Sequence, residues 1–437
     1  MSNKKNIGSF YTPKIIADFV VNKLAKRLKG VDLSILEPSA GDGIFINSIY
    51  SNKILSKKIK KVVAVEKEEK EFEKIKAITE SKTLNIINDD FLNFQQNNTE
   101  KFSIVIGNPP YFKKNLLTKE QTELSKQIFE SANLSFQSAK NIWATFLVRC
   151  ISFTNANGIL ALILPSDLKQ VSFAKELREL LLKKFERVEL ITFKELVFED
   201  CKGQDTILMI AERKSRNKGV FTYDINSILD LPKGKINFKK ETRLADAKWN
   251  HEHLSTDEFS FLNNIKKELH TLSHYANAKP GVVTGANNYF IVDEKLLKDY
   301  QLKKFARPII QKGVYVNGSV TFSAEDFKKL RVEGKPTHLI FINSENEKRL
   351  NNINQSYLSL EQTKELQKRY KLKIREVWYQ IPNVAKPAEG LFFKRSHDYP
   401  KLLKNEAQVL STDAAYYVDV KEGFEINSLV FSFYNSF

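Results

Sequence analysis

Leu33-Ser34-Ile35-Leu36-Glu37-Pro38-Ser39-Ala40-Gly41-Asp42-Gly43 is the stretch that decides the fold. A short apolar strand runs into a turn of small residues and glycines, and a helix starts at Ile44 and runs to Tyr50. Glycines permit positive φ in such a turn, and small side chains let the backbone come close to a ligand. The same β-then-α alternation extends outward in both directions. Upstream, residues 12 to about 29 read as a helix, with Thr12 as N-cap, Pro13 at the first helical position and Ile15, Ile16, Phe19, Val20 and Leu24 on one face. Downstream, strands are expected at Val62 to Val65, Leu84 to Ile87, Ser103 to Ile106, Ile159 to Leu164, Val188 to Thr192 and Thr206 to Ile210. Helices are expected up to Lys76, over Trp143 to Phe153 and over Phe173 to Leu182.

Short apolar strands alternating with helices predict an α/β domain, a largely parallel doubly wound sheet covered on both faces. The alternation fades in the polar run Lys214-Ser215-Arg216-Asn217-Lys218-Gly219. The expected division is residues 1–225 and 226–437. In the second part aromatic and basic residues mix with turns such as Lys279-Pro280-Gly281 and Ile381-Pro382-Asn383, which suits an irregular α+β domain.

Composition narrows the class. Lys and Arg number 69 against 52 Asp and Glu, a formal net charge of +17 over 437 residues. Such a surplus favours a polyanionic partner, because each cation on a phosphate releases condensed counterions. A Lys-rich proteome accounts for it equally well, so the motifs must decide. The two cysteines, Cys150 and Cys201, form neither a disulfide framework nor a metal-ligand spacing, and a reducing, cytoplasmic compartment with no metal is expected. The basic start Met1-Ser2-Asn3-Lys4-Lys5 has no apolar segment after it, so no signal peptide is expected. No apolar run approaches the ~18 residues a membrane span needs.

In a doubly wound sheet, ligands bind beyond the carboxyl ends of the strands. The turn Glu37 to Gly43 is neither the dinucleotide-binding glycine pattern nor a P-loop. An acid before it and another inside it disfavour phosphate and suit a cationic end, such as the amino group and sulfonium of S-adenosylmethionine. Glu66, closing the second strand, is placed to accept ribose hydroxyls. Asp90 and Phe91, after the third, can accept from an adenine amine and cover its ring. Each acid alone could be a solvated strand end, but three successive strands end this way.

The fourth strand ends in Gly107-Asn108-Pro109-Pro110-Tyr111. A conjugated amine or amide nitrogen is a poor nucleophile. Acceptors on both its N–H groups, the Asn108 side-chain oxygen and the Pro109 carbonyl, would restore its electron density. Consecutive prolines fix the backbone in advance, which is electrostatic preorganisation. Tyr111 can stack on a flat group. These four residues specify a planar amine or amide, not a polymer.

With these motifs the chain resembles the gamma-type amino-methyltransferases of DNA, which carry the same segments in the same order. Phe10-Tyr11-Thr12-Pro13, the loop Glu37 to Gly43, Glu66, Asp90-Phe91, Asn108 to Tyr111 and Gly158 to Ser166 match successive family motifs. The resemblance implies a class I S-adenosylmethionine-dependent methyltransferase fold with a C-terminal α+β target-recognition domain, and N6 methylation of a flipped adenine in duplex DNA. It implies cofactor contacts from Thr12, Glu37, Glu66, Asp90 and Pro110, with Pro38, Ser39, Ala40, Gly41, Asp42 and Phe91 around them. Catalysis falls to Asn108, Pro109, Pro110 and Tyr111, and base stacking to Tyr111 and to Phe198, in Leu196-Val197-Phe198.

The second half resembles the target-recognition region of large single-chain adenine methyltransferases through Thr284 to Asn288, Arg307-Pro308 and Arg375 with Trp378-Tyr379. Lys368, Arg369, Arg375, Trp378, Tyr379, Lys394 and Arg395 interleave cations with aromatics and are the candidate DNA contacts. A solvated helix face beside core aromatics is the competing reading for each. His251 and His253 have no ligand set around them, and Asp293-Glu294-Lys295 lacks the further acid of a nuclease site. The apolar end, Phe431 to Phe437, leaves room for a polypeptide that completes the domain, and a cognate restriction endonuclease is a further expected partner. Competing functions are a protein-glutamine methyltransferase, an RNA methyltransferase and a non-catalytic DNA-specificity subunit.

Overall fold

The apolar runs form strands whose successive residues face opposite ways, as the pleat requires. In β1 (Leu33–Glu37), β2 (Ile59–Glu66) and β4 (Phe102–Gly107), Leu36, Val63, Val65 and Val105 enter one core with Trp143, Leu147 and Phe153. Their neighbours Ile35, Val62, Ile104 and Ile106 enter a second core on the other face, with Ile16, Val20, Leu24 and Phe45. A sheet buried on both faces must be covered by helices on both. Helices α1 (Lys14–Arg27) and α2 (Ile44–Ser51) contribute to the second core. Helices α5 (Ile142–Phe153) and α6 (Lys175–Lys184) contribute to the first. Between these pairs in the chain lie α3 (Glu69–Lys76) and α4 (Lys119–Ser131).

The computed structural model describes residues 11–28, 30–78, 81–94, 100–193, 205–233, 238–241, 249, 256–316, 320–395 and 399–434. The chain forms two units, Met1–Phe261 and Leu262–Phe437. The sheet of the first unit adds β3 (Leu84–Asn88), β5 (Thr154–Pro165), β6 (Arg187–Phe193), β7 (Thr206–Glu212), β8 (Gly219–Ile225) and β9 (Lys239–Glu241). Its order is β3-β2-β1-β4-β5-β7-β6-β8-β9. The first five strands run parallel, and β7 lies antiparallel between β5 and β6. Residue 225, where the division was expected, ends β8, and β9, beyond it and within the first unit, pairs antiparallel with β8.

Two local expectations are corrected. Pro13 rather than Thr12 holds the N-cap position of α1, and no side chain caps that helix. The Thr12 hydroxyl is instead 3.3 Å from the Asn108 amide nitrogen, which donates to it. Helix α4 was not anticipated. It opens on a capping box in which Thr118 and Gln121 satisfy each other's backbone N–H groups.

The second unit contains two sheets. One has the order β10 (Ala276–Pro280), β18 (Ala415–Val420), β15 (Gly390–Phe393), β16 (Lys401–Asn405), β13 (Thr321–Phe322). The other runs β11 (Ile291–Val292), β14 (His338–Ile340), β12 (Ala306–Ile310), β17 (Leu410–Ser411). Short strands and scattered helical turns make this the irregular α+β unit that loss of alternation predicted. Its core is pinned by Tyr289 and Tyr357, whose rings stack at 4.7 Å. Each donates its hydroxyl to the other's backbone carbonyl. No helix among the described residues is long and apolar enough to cross a membrane.

Candidate functional site

The carboxyl ends of β1, β2 and β4 and the loop after β3 open on one cavity of about 300 Å³, a volume within the range of small-ligand sites. Its walls include Thr12, Glu37 to Asp42, Glu66, Asp90, Phe91, Asn108 and Pro110. The parallel strands thus bring the sequence candidates from separate loops to one place.

The first loop is shaped by two backbone demands. Gly43 has φ +76°, and a Cβ there would lie 2.2 Å from Ile78 Cδ1. A Cβ on Gly107 would lie 3.1 Å from Pro38 Cδ, so a side chain there would press the loops after β1 and β4 apart by a few tenths of an ångström. Ser39 Oγ donates to the Asn108 carbonyl at 3.1 Å and ties those two loops together.

Glu37 is fully buried, and among the described residues neither carboxyl oxygen has a hydrogen-bond partner. Burial, with Asp42 and Glu66 nearby, pushes its carboxyl well above the usual carboxylate range. A buried acid without a partner is costly unless a donor or cation arrives to satisfy it. Glu66 is also buried. Its Oε2 accepts the Gly41 N–H at 2.7 Å and its Oε1 the Glu68 N–H at 2.8 Å. Burial raises its pKa against the opposing pull of these N–H groups. A carboxylate has about four acceptor positions, so Glu66 can hold the loop and still receive hydroxyls.

At the other end of the cavity Asp90 Oδ1 accepts the Leu92 N–H at 3.0 Å, and Oδ2 accepts Lys67 Nζ at 3.1 Å and Gln121 Nε2 at 2.7 Å. Phe91 is 2 % exposed, and its ring centroid is 5.1 Å from that of Phe146, also in the wall. The donor set therefore fits S-adenosylmethionine. The orphaned Glu37 faces the need of an ammonium, Glu66 that of a ribose, and Asp90 with Phe91 and Phe146 that of an adenine.

Asn108 follows β4 and lines the cavity. The Tyr111 hydroxyl donates to Asn108 Oδ1 at 2.5 Å and lies 2.8 Å from the Ile163 carbonyl. One hydroxyl proton serves one acceptor at a time. Pro109 is buried and Pro110 is in the cavity wall. Tyr111 is 6 % exposed and is not in the wall, whereas Phe112 is. The stacking face expected of Tyr111 is thus turned into the core in this conformation. Tyr111→Phe is expected to lower the stability of this unit by about 1 kcal/mol, read from the urea midpoint, because a buried carbonyl loses its donor.

Gln121, Thr118, Phe112 and Phe146 line the cavity without having been candidates. The capping-box spacing of Thr118 and Gln121 was readable in the sequence, but not where α4 would lie. Phe198, Cys201, His251, His253 and Phe10 lie outside the described residues.

In the second unit the candidate DNA contacts separate. Arg369, Lys394 and Arg395 are exposed, and Lys368, also exposed, pairs with Glu365. Arg375, Trp378 and Tyr379 are partly buried and make contacts within the unit. The partly buried Arg375 guanidinium donates to the carbonyls of Thr284 at 2.7 Å, Trp378 at 3.1 Å and Val283 at 3.4 Å. Trp378 packs on the core beside Tyr289 and Phe290, and Tyr379 donates to Glu347. Three of the five guanidinium N–H donors are thus engaged by backbone carbonyls. Arg375→Ala is therefore expected to lower the unfolding free energy of this unit by roughly 2–4 kcal/mol in urea denaturation. Lys394→Ala with Arg395→Ala should leave that midpoint unchanged. Asp293 caps the helix Glu294–Asp299 through the Leu296 N–H, and Glu294 pairs with Arg331.

Comparison with known proteins finds relatives for both parts of the chain. Residues 23–198 match the family described as Eco57I restriction-modification methylase, and residues 246–437 match the C-terminal domain of the Type II methyltransferase M.Eco57I. The Type II methyltransferase M.AccI of Acinetobacter calcoaceticus is 26% identical over 429 residues, which cover 94% of this chain and 75% of that protein. The modification methylase CviBIII of Paramecium bursaria Chlorella virus NC1A is 26% identical over 283 residues, 61% of this chain and 68% of that one. Among solved structures, the Type IIL restriction-modification enzyme MmeI in complex with DNA shares the fold over 95% of this chain and 61% of its own, with a TM-score of 0.62 at 15% identity. The sheet is that of a class I methyltransferase, followed by a C-terminal α+β domain. With both of its parts matched in order, the chain belongs to the Eco57I-type restriction-modification methylases.

Proposed function

We propose that the chain transfers a methyl group from S-adenosylmethionine to N6 of an adenine in double-stranded DNA, in a restriction-modification or orphan modification system. The observation that carries this reading is the single cavity in which the Glu37 carboxyl, without a partner among the described residues, and the Asn108 amide share one wall. When bound, S-adenosylmethionine supplies an electrophilic methyl group. Glu37 pairs with its ammonium and Glu66 receives its ribose hydroxyls. Asp90, with Phe91 and Phe146, holds its adenine.

The target base is conjugated and its amine is weakly nucleophilic. Asn108 Oδ1 and the Pro109 carbonyl each accept one amine N–H, which returns electron density to the nitrogen. The prolines fix the carbonyl beforehand, so no reorganisation is needed during reaction. Entry of the amine replaces the Tyr111 hydroxyl on Asn108, and that hydroxyl stays with the Ile163 carbonyl. A base within a duplex cannot reach such a pocket, so it must be flipped out. The exposed cations Arg369, Lys394 and Arg395 belong to the unit that holds the duplex, with Phe198 as an aromatic against the base.

The test is transfer of labelled methyl groups to duplex DNA, followed by digestion to nucleosides. Label in N6-methyladenine is expected. Label in protein glutamine or in RNA alone, or in a methylated cytosine, overturns the proposal. No transfer to any acceptor would favour a DNA-specificity subunit.

A further inference from the structure

The side chain of Gln121 is fixed at both ends. Its Oε1 accepts the Thr118 backbone N–H at 3.2 Å, while the Gln121 N–H donates to Thr118 Oγ1 at 3.1 Å. A backbone N–H can only donate, so the carboxamide oxygen faces Thr118 and its nitrogen faces away. That nitrogen donates to Asp90 Oδ2 at 2.7 Å. Asn93 Nδ2 donates to Glu120 Oε1 at 3.4 Å and adds a second tie between α4 and the loop after β3. Gln121 and Asp90 both line the cavity, as do Phe91 and Phe146. A carboxamide donor thus stands beside a carboxylate acceptor on one wall, and the start of a helix holds it there.

An adenine edge carries the complementary pair, an amine N–H next to a ring nitrogen that accepts. Hypoxanthine carries an oxygen in place of the amine and so presents an acceptor where Asp90 needs a donor. We propose that Gln121 is a specificity residue for the base of the cofactor: Asp90 accepts from the amine while Gln121 Nε2 donates to the neighbouring ring nitrogen. This rests on the reading of the cavity as the S-adenosylmethionine site. The capping box alone does not call for glutamine, because glutamate at the same position accepts the Thr118 N–H equally well. Only the contact with Asp90 needs a donor.

That difference supplies the experiment. Gln121→Glu keeps the cap and replaces the donor by an acceptor. The full chain and its Gln121→Glu and Gln121→Ala variants are titrated calorimetrically with S-adenosyl-L-homocysteine and with S-inosyl-L-homocysteine. The wild type is expected to prefer the adenosyl ligand. Both variants should bind it about 10- to 100-fold more weakly, with a much smaller loss for the inosyl ligand. The ligand-free thermal midpoint of Gln121→Glu should fall, because a carboxylate then faces Asp90 where a donor stood, so the reading rests on the ratio of the two ligands within each variant. Unchanged affinity and preference in both variants would overturn the proposal, and so would equal losses for the two ligands, which would mark Gln121 as a purely structural residue. A wild type that binds neither ligand overturns the cofactor reading itself, a result distinct from either of these.

Discussion

Asn108→Ala is expected to reduce methyl transfer to DNA by about a hundred- to a thousandfold or more, with the cofactor still bound. The amide oxygen is one of only two acceptors that the proposed mechanism offers the amine, and removal of one preorganised group of this kind typically costs that factor. The side chain is not a keystone of the fold. It is partly exposed at the cavity wall, and its removal leaves the Tyr111 hydroxyl with the Ile163 carbonyl at 2.8 Å. The Asn108 carbonyl that Ser39 holds is backbone and survives the substitution. Binding of S-adenosyl-L-homocysteine by calorimetry and single-turnover transfer to duplex DNA separate the two effects. Retained transfer removes Asn108 from catalysis. Loss of both binding and transfer attributes the defect to collapse of the loop.

The residues legible in the sequence share a property: each is fixed by a strand end. Glu37, Glu66 and Asp90 follow strands whose apolar alternation is plain, and a parallel sheet aligns those ends by topology alone. Asn108 and the two prolines carry their geometry in their own backbone. Gln121 lacks such an anchor. It reaches the site because α4 folds back toward the loop after β3, a tertiary event that no local spacing encodes. Arg375 shows the opposite case. A cation next to an aromatic pair looks like a nucleic-acid contact in one dimension, but the turn at Thr284 to Asn287 brings carbonyls against it from 91 residues away. Tyr111 lies between the two cases. Its place in the motif was readable, whereas its hydroxyl partner on β5 was not.

Glu37→Gln should weaken S-adenosylmethionine binding by about 30-fold or more and at the same time make the ligand-free protein more stable at alkaline pH. Both effects follow from one buried carboxyl. Breaking a desolvated charge pair costs roughly 2–5 kcal/mol, so the ammonium of the cofactor loses that much on meeting an amide. In the free protein the carboxyl has no partner among the described residues, and burial holds its pKa well above the ordinary range. The folded state therefore keeps a proton that the unfolded chain has already released. Its contribution to stability is complete below the ordinary carboxylate pKa and is lost as pH rises through the raised one. Glutamine does not titrate, so the variant escapes that loss, and its thermal midpoint should overtake the wild type as pH rises. Cofactor binding runs in the opposite sense. The ammonium needs the carboxylate, so binding to the wild type releases a proton and tightens with pH, whereas binding to the variant does neither. Calorimetry in buffers of differing ionisation enthalpy counts that proton. A variant with the same pH slope as the wild type would show that Glu37 does not meet the ammonium.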